Sequence, residues 1–206
     1  MELLEQEDPP LPKIIGLTGG IGSGKTSVAK FIETQGYPVY YSDDRAKSIV
    51  FEEHVKAKII ELLGNEAYNE DGSYNRKYVG SIVFEDKEKL NLLNGIIHPA
   101  VRQDFHDWVA AQHTAFIFKE TALLFELQLN LECFQSVLVT AEDNIRLKRV
   151  MDRDNKTYRE VESVMLNQMP EKDKCRKANF IIHNNGTLED LEIETLRVLE
   201  ELKNLA

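Results

Sequence analysis

The chain has 206 residues, of which 42% are hydrophobic and 29% are charged. This composition is typical of a folded protein of one domain, at most with an inserted subdomain. Lys and Arg number 25 against 35 for Asp and Glu, which gives a formal net charge of −10. Proteins that bind nucleic acids or anionic membranes need broad positive surfaces. The charge balance argues against both partners, but it allows a small polyanion that is held by a few local cations.

Cysteine content and hydropathy indicate the cellular environment of the protein. Cys133 and Cys175 are far apart and form no CxxC pair, so we expect neither a disulfide framework nor a cysteine zinc site. No apolar run approaches the roughly 18 residues that span a bilayer. We therefore expect a cytoplasmic protein. Residues 1–13 are acidic and rich in proline, and we expect them to form a flexible lead-in.

Segments with strand and helix patterns alternate along much of the chain. β-Branched and aromatic runs predict strands at residues 14–17, 39–41, 116–118, 136–140 and 180–183. Composition and apolar spacing predict helices at residues 26–35, 142–153 and 188–203. Strands that alternate with helices favour an α/β fold with a mostly parallel sheet covered on both faces.

Two stretches depart from this alternation. Residues from about 44 to 113 are helical in pattern, which predicts a helical subdomain inserted beside the sheet. His98 and Pro99 are expected to end one of its helical runs, and a lone His is more often structural than catalytic. A smaller excursion at about 150–172 predicts a helical lid. The organisation is then a single domain at 14–206, with a core formed by 14–43 and 114–206.

Residues 19–26 read Gly-Gly-Ile-Gly-Ser-Gly-Lys-Thr and match the phosphate-binding pattern G-x-x-x-x-G-K-[ST] in full. Glycines let backbone amides point at phosphate oxygens without interference from a Cβ atom. The helix that follows presents its N-terminal dipole to the same anion. Lys25 would reach the β- and γ-phosphates of a nucleotide, and the Thr26 hydroxyl would bind Mg²⁺.

The alternative interpretation of this motif is a glycine-rich surface turn. The motif follows a predicted strand and opens a predicted helix, as phosphate binding requires, so we favour a nucleotide site. The residues predicted to bind the nucleotide are Gly20, Ile21, Gly22, Ser23, Gly24, Lys25, Thr26 and Ser27.

Several classes of protein carry such a loop. Regulatory GTPases also need an N-K-x-D motif that reads guanine, but the only Asn-Lys pair, Asn155-Lys156, is followed by Thr157-Tyr158. Small-molecule kinases combine a short core with a helical acceptor-binding region and a lid that carries arginines, so the two helical excursions favour this class. The alternative outside the enzymes is a non-catalytic nucleotide-binding module.

Two carboxylates follow the second predicted strand. Asp43 and Asp44 stand where a side chain can reach the γ-phosphate, Mg²⁺ or an acceptor hydroxyl. Asp is also a favoured helix N-cap. We expect Asp44 to cap the next helix, whereas both interpretations stay open for Asp43 from the residues alone.

Three arginines share one face of the helix predicted at 142–153. Arg146, Arg149 and Arg153 are spaced at i, i+3 and i+7, and guanidinium groups match phosphate oxygens. The alternative is a solvated surface on which Glu142 pairs with Arg146. Because a lid-like segment follows immediately, Arg149 and Arg153 are predicted to bind phosphate.

Taken together, these motifs resemble one family, the dephospho-CoA kinases, over residues 14–191. Residues 15–26 match the opening strand and loop of that family almost letter for letter. The family has a D-A-D element after its second strand, where this chain reads Tyr41-Ser42-Asp43. Arg149 and Arg153 fall on the lid arginines of the family, whereas Arg146 stands where a Gln is usual. Further matches, in the same order, are Ile97-His98-Pro99, Leu123-Leu124-Phe125-Glu126, Gln168, Ala178 and Asn184-Asn185-Gly186.

The resemblance implies a P-loop kinase with a three-layer α/β/α fold. It implies transfer of the γ-phosphate of ATP, with Mg²⁺, to the 3′-hydroxyl of the ribose of dephospho-CoA, the last step of CoA synthesis. The alternative is another P-loop small-molecule kinase or a nucleoside-monophosphate kinase. Partners would be small molecules, with no nucleic acid and no membrane, and the oligomeric state is not fixed.

The resemblance also assigns roles to residues of this chain. Asp43 aligns with the second Asp of the D-A-D element and is implied as the base for the acceptor hydroxyl, while Tyr41 replaces the first Asp. The catalytic residues would be Asp43, Lys25, Arg149 and Arg153. The residues that contact the acceptor would be Asp43, His98, Leu124 and Glu126.

Overall fold

The computed structural model describes residues 11–205, so most of the lead-in predicted at 1–13 lies outside the described residues. The strands are β1 (Lys13–Thr18), β2 (Val39–Tyr41), β3 (Phe116–Glu120), β4 (Gln135–Thr140) and β5 (Phe180–His183). The helices are α1 (Lys25–Thr34), α2 (Ser42–Ile49), α3 (Glu53–Leu63), α4 (Arg76–Glu85), α5 (Lys87–Ala110), α6 (Asp143–Asp154), α7 (Tyr158–Leu166), α8 (Glu171–Lys177) and α9 (Leu188–Asn204). Short 3-10 segments lie at Asn65–Ala67 and Leu129–Glu132.

These strands form one parallel sheet in the order β2-β3-β1-β4-β5. β1 lies at the centre, paired with β3 on one side and with β4 on the other. The chain therefore moves to opposite sides of β1 in its first and second halves, which creates a topological switch point at the C-terminal end of β1. Ligands of open α/β sheets bind at such a point. The prediction of an α/β fold with a parallel sheet is confirmed.

One apolar cluster joins the sheet to its first and last helices. It contains Val28 and Ile32 of α1, Leu199 and Leu202 of α9, and inward-facing residues of the strands such as Leu17. In α9, four residues of the spacing that predicted the helix form its buried face, namely Leu191, Thr195, Leu199 and Leu202. α1 is therefore fixed against β1, and with it the loop that joins them.

The described residues divide into two compact units. Ser42–Ala111 forms the helical unit, and the described residues up to Tyr41 and from Gln112 onward form the sheet unit. The helical unit has an apolar core of its own, which includes Ile49, Ile59 and Leu93. Inside this core the Tyr68 hydroxyl donates a hydrogen bond to the Val50 carbonyl at 2.6 Å, and burial raises the pKa of Tyr68 to about 12.

The helix α5 continues through Pro99 to Ala110, so the prediction that His98 and Pro99 end a helical run is wrong. A proline inside a helix removes one hydrogen bond and costs about 3 kcal/mol. On either side of it, however, Ile97 and Ala100 pack against the core of the helical unit. Packing in the folded protein outweighs the local preference here.

The helix α2 begins at Ser42, directly after β2, so Asp43 and Asp44 lie in its first turn. The prediction that Asp44 caps this helix is therefore wrong. Asp44 instead pairs with Lys47 at 2.7 Å. Carboxylates in the first turn of a helix are favoured by the helix dipole, which explains why the helix starts so early. Among the described helices, none has both the length and the hydrophobicity needed to cross a membrane.

Candidate active site

The phosphate-binding motif forms the turn between β1 and α1, at the C-terminal end of the central strand. Gly22 and Gly24 have φ angles of 78° and 93°, in the left-handed region that favours glycine. Gly24 is the N-cap of α1, and the first amides of a helix generally point out of its N-terminus. This is the local geometry that favours anions at a helix N-terminus, and phosphate binding there stays a prediction.

Close approach of other groups explains Gly19 and gives a second reason for glycine at position 24. A Cβ atom on Gly19 would lie 2.5 Å from the Val139 carbonyl oxygen, and one on Gly24 would collide with the amide nitrogen of Asn184. Asn184 follows β5, and its Nδ2 donates a hydrogen bond to the Ser23 carbonyl at 2.8 Å. The loop is therefore held against the ends of β4 and β5.

A cavity of about 510 Å³ opens over the loop. This volume lies within the range of ordinary ligand sites. Its wall contains every residue predicted to bind the nucleotide. The lining residues are Gly19, Gly20, Ile21, Gly22, Ser23, Gly24, Lys25, Thr26, Ser27, Ala122, Arg149, Arg153, Val164, Gln168, Asn184, Gly186, Leu188 and Leu191.

Lys25 forms an ion pair in this site. Its Nζ lies 2.5 Å from Glu120 Oε1, and the two side chains are 11% and 6% exposed. Glu120 is the last residue of β3, the strand beside β1. An ammonium group held in this way presents its charge close to the first turn of α1, where a nucleotide phosphate would bind.

The three arginines of α6 have different surroundings. Arg149 and Arg153 line the cavity; Arg149 donates to the Asn184 carbonyl at 3.0 Å. Arg153 pairs with Asp154 at 2.7 Å, and this hydrogen bond raises the pKa of Arg153. Arg146 is buried instead. The structure thus brings the two predicted arginines to the loop.

The alternative interpretation, in which Glu142 pairs with Arg146 on a solvated surface, is wrong. Glu142 is the N-cap of α6, and its backbone carbonyl accepts a hydrogen bond from the Arg146 amide at 3.0 Å. The Arg146 guanidinium pairs with Asp143 and Glu171 instead.

The residues predicted on the acceptor side fall in two places. Asp43 lies in the first turn of α2 and His98 is an exposed residue of α5, both in the helical unit. Leu124 and Glu126 follow β3 in the sheet unit. Leu124 is fully buried, and its side chain packs over Gly16 of β1. Its contact with the acceptor stays a prediction.

Glu126 joins the segment after β3 to α8. Its Oε1 accepts a hydrogen bond from the Met169 amide at 3.0 Å and lies 3.1 Å from Nζ of Lys174, which is fully buried. Burial would raise the pKa of Glu126, but the Met169 hydrogen bond and the Lys174 ammonium together hold this pKa below its ordinary value. Glu126 is thus ionised and paired with a buried cation.

Tyr41 stands where the resembling family has its first Asp. Its hydroxyl donates a hydrogen bond to Glu33 Oε2 of α1 at 2.9 Å. The residue therefore supports α1 with a contact that a shorter aspartate could not make in the same way.

Sequence reasoning did not select Glu120, Gln168 or Asn184 as site residues. Glu120 ends β3 and Asn184 follows β5, and polar side chains at the C-terminal ends of parallel strands are a signal that could have found both. Gln168 accepts a hydrogen bond from the Ile21 amide at 3.0 Å. It lies between two short helices, and its match to the family pattern is the signal in the sequence that could have found it.

Comparison with known proteins decides which kinase family has this site. The family model for dephospho-CoA kinase matches residues 13–190. The chain belongs to the dephospho-CoA kinase family. It is therefore a phosphotransferase with ATP as co-substrate. The resemblance found in the sequence motifs is confirmed.

Individual relatives support the assignment of this chain to the dephospho-CoA kinase family. A dephospho-CoA kinase of Fusobacterium nucleatum is 36% identical over 189 residues, which cover 92% of this chain and 98% of the relative. Among solved structures, TT1252 from Thermus thermophilus is 34% identical with a TM-score of 0.83, covering 94% of this chain and 99% of that one. A dephospho-CoA kinase from Campylobacter jejuni, 22% identical, has a TM-score of 0.62 over 93% of this chain and 98% of that one, and supports the fold.

Proposed function

We propose that this chain phosphorylates the ribose 3′-hydroxyl of dephospho-CoA with ATP and so produces CoA, in the cytoplasm. The observation that carries the proposal is the complete phosphate-binding loop, with Lys25, Arg149 and Arg153 around one cavity, in a chain of the dephospho-CoA kinase family. Positive groups that converge on one small volume suit a triphosphate in an otherwise acidic protein.

On the nucleotide side, the loop amides and Lys25 hold the β- and γ-phosphates. The Thr26 hydroxyl is exposed in the first turn of α1 and lines the cavity. Mg²⁺ prefers oxygen ligands and is often bound by one or two protein groups together with substrate phosphates. Thr26 fits this pattern and would hold the ion, which supplies neutralising charge for the phosphates. Arg149 and Arg153 close over the phosphates and exclude water.

On the acceptor side, Asp43 orients the 3′-hydroxyl and accepts its proton as the oxygen attacks the γ-phosphorus in line with the departing ADP. A carboxylate beside the C-terminal end of β2 suits this role, since acceptors of α/β kinases bind beyond the C-terminal ends of the strands. His98 and Glu126 are the further proposed contacts of dephospho-CoA.

One assay tests this function directly. ADP release is measured with Mg-ATP alone and with added dephospho-CoA, and the product is identified by mass spectrometry. We expect rapid ADP formation only with dephospho-CoA, with one phosphate added per acceptor. AMP, CMP and shikimate serve as competing acceptors. Faster turnover with one of these would contradict the proposed substrate, and nucleotide binding without ADP formation from any acceptor would favour a non-catalytic module.

A further inference from the structure

The guanidinium group of Arg146 lies against the phosphate-binding loop and not in the cavity. Its Nε donates a hydrogen bond to the Ile21 carbonyl at 3.0 Å, and the residue is only 3% exposed. Arg149 and Arg153, by contrast, line the cavity. A cation that is removed from solvent and bonded to the loop backbone acts on the loop itself, not on the incoming phosphate.

The glycines on either side of Ile21 make room for this arginine. A Cβ atom on Gly22 would lie 2.5 Å from the Arg146 carbonyl oxygen, and one on Gly20 would collide with Nη2 of the guanidinium. Both approaches are shorter than ordinary van der Waals contact. The segment Gly20-Ile21-Gly22 and Arg146 therefore fit each other only because the loop lacks side chains at these two positions.

A buried guanidinium needs an anionic partner, because an unpaired buried charge is strongly unfavourable. Arg146 Nη1 lies 3.0 Å from Glu171 Oε2 and 3.3 Å from Asp143 Oδ1. The Glu171 side chain is 20% exposed, whereas that of Asp143 is 72% exposed. Water screens the pair with Asp143 more strongly. Glu171 is thus the principal counter-ion, and it is the first residue of α8.

The backbone amide of Ile21 is also held by a side chain from outside the loop. Its amide donates to Gln168 Oε1 at 3.0 Å, three residues before Glu171 in the chain. Ile21 is therefore held at both its N–H and its carbonyl by side chains from outside the loop. A loop whose conformation is fixed before the ligand arrives loses less conformational freedom on binding.

We propose that Arg146, held in place by Glu171, is a positioning residue that keeps Gly20-Ile21-Gly22 in the conformation that binds the nucleotide phosphates. The proposal rests on the proposed function only in taking a nucleoside triphosphate as the ligand of the loop.

The test is equilibrium binding of a fluorescent ATP analogue with Mg²⁺ and no acceptor. We expect Glu171→Ala to raise the Kd about tenfold, the factor that corresponds to about 1.4 kcal/mol. Glu171→Gln should fall between wild type and Glu171→Ala, because the amide oxygen still accepts a hydrogen bond from Arg146. Asp173→Ala is the matched control: it lies on the same helix, pairs with Arg176, and should leave the Kd unchanged.

Thermal unfolding of the same variants separates positioning from simple stabilisation. A Glu171→Ala protein with a lower Tm but the wild-type Kd would overturn the proposal, as would an equal loss of affinity in the Asp173→Ala control. Arg146→Ala should repeat the loss of affinity, because it removes the hydrogen bond to the Ile21 carbonyl; if this variant does not fold, the Glu171 pair of variants decides. The assay contains no acceptor, so a failure of dephospho-CoA phosphorylation would leave its result unaffected.

Discussion

Lys25 and Glu120 meet at 2.5 Å in a place where their side chains are 11% and 6% exposed. Nucleotide binding would exchange this carboxylate for the β- and γ-phosphates. We expect Lys25→Met to reduce kcat by about 10²–10³-fold, as removal of a single charge-stabilising group does elsewhere. It should also lower the Tm, because Glu120 loses a buried partner. Steady-state ADP release and thermal unfolding measure the two effects.

The double variant Lys25→Met/Glu120→Gln serves as the control for this prediction. Removing the carboxylate charge together with the ammonium should restore part of the Tm without restoring turnover. Wild-type kcat in the single variant would show that Lys25 is not a catalytic residue. Turnover that returned with the Tm in the double variant would show that its loss had been one of folding.

Asp43 is the residue for which sequence chemistry left two roles open. Asparagine keeps its shape but cannot accept a proton, so we expect Asp43→Asn to lower kcat by about 10²–10⁴-fold. The KM for ATP should change little, because the proposed contact is with the acceptor. Asp44→Asn is the matched control in the same helix turn, since Asp44 pairs with exposed Lys47. A change confined to the KM for ATP would remove Asp43 from the acceptor side.

At the scale of elements, Glu126 fastens the segment after β3 to α8. Its folded pKa lies below the ordinary value of 4.5, so its ionisation stabilises the folded state above that pH and the contribution is lost as the pH falls through the folded pKa. We expect Glu126→Gln to lower the free energy of unfolding at neutral pH, where it also leaves buried Lys174 without its anion. The gap from wild type should narrow on acidification.

Urea unfolding from about pH 7 to about pH 3.5 measures that gap. Glu200→Gln is the control, because Glu200 pairs with Lys203 at the surface and such pairs contribute little. A gap that stayed constant across this range, or one that widened in acid, would show that the Glu126 charge is not stabilised in the folded protein.

The elements that could be predicted from sequence are those whose local pattern and burial agree. β1, α1 and the turn between them carry a strand run, a glycine pattern and apolar helix spacing in succession, and all three appear in the structure. α5 could not be predicted, because the packing that carries it through Pro99 comes from distant residues. Gln168 was missed as a site residue for the same reason: its contact with Ile21 joins positions far apart in the chain.

For the whole molecule, the net charge of −10 has a local counterpart at the loop. Three basic groups there are paired with acidic ones, Lys25 with Glu120, Arg153 with Asp154 and Arg146 with Glu171, whereas Arg149 donates to Asn184. A chain with this balance has no long-range positive field to attract its anionic substrates. Affinity for phosphate must then come from the fixed backbone amides of the loop and from phosphate oxygens that replace these acidic partners at short range. Both contributions depend on the geometry of the loop.

Hydrogen exchange can follow the binding of each substrate separately in the two compact units. A ligand at 100 times its Kd stabilises the native state by about 2.7 kcal/mol, and protection concentrates where it binds. We expect an unreactive ATP analogue to protect residues 19–27 of the sheet unit, and dephospho-CoA to add protection within the helical unit. In Lys25→Met, protection by the nucleotide should weaken while that by dephospho-CoA persists. Protection of Ser42–Ala111 by the nucleotide alone, with none from dephospho-CoA, would contradict the proposed contacts of Asp43 and His98 with the acceptor.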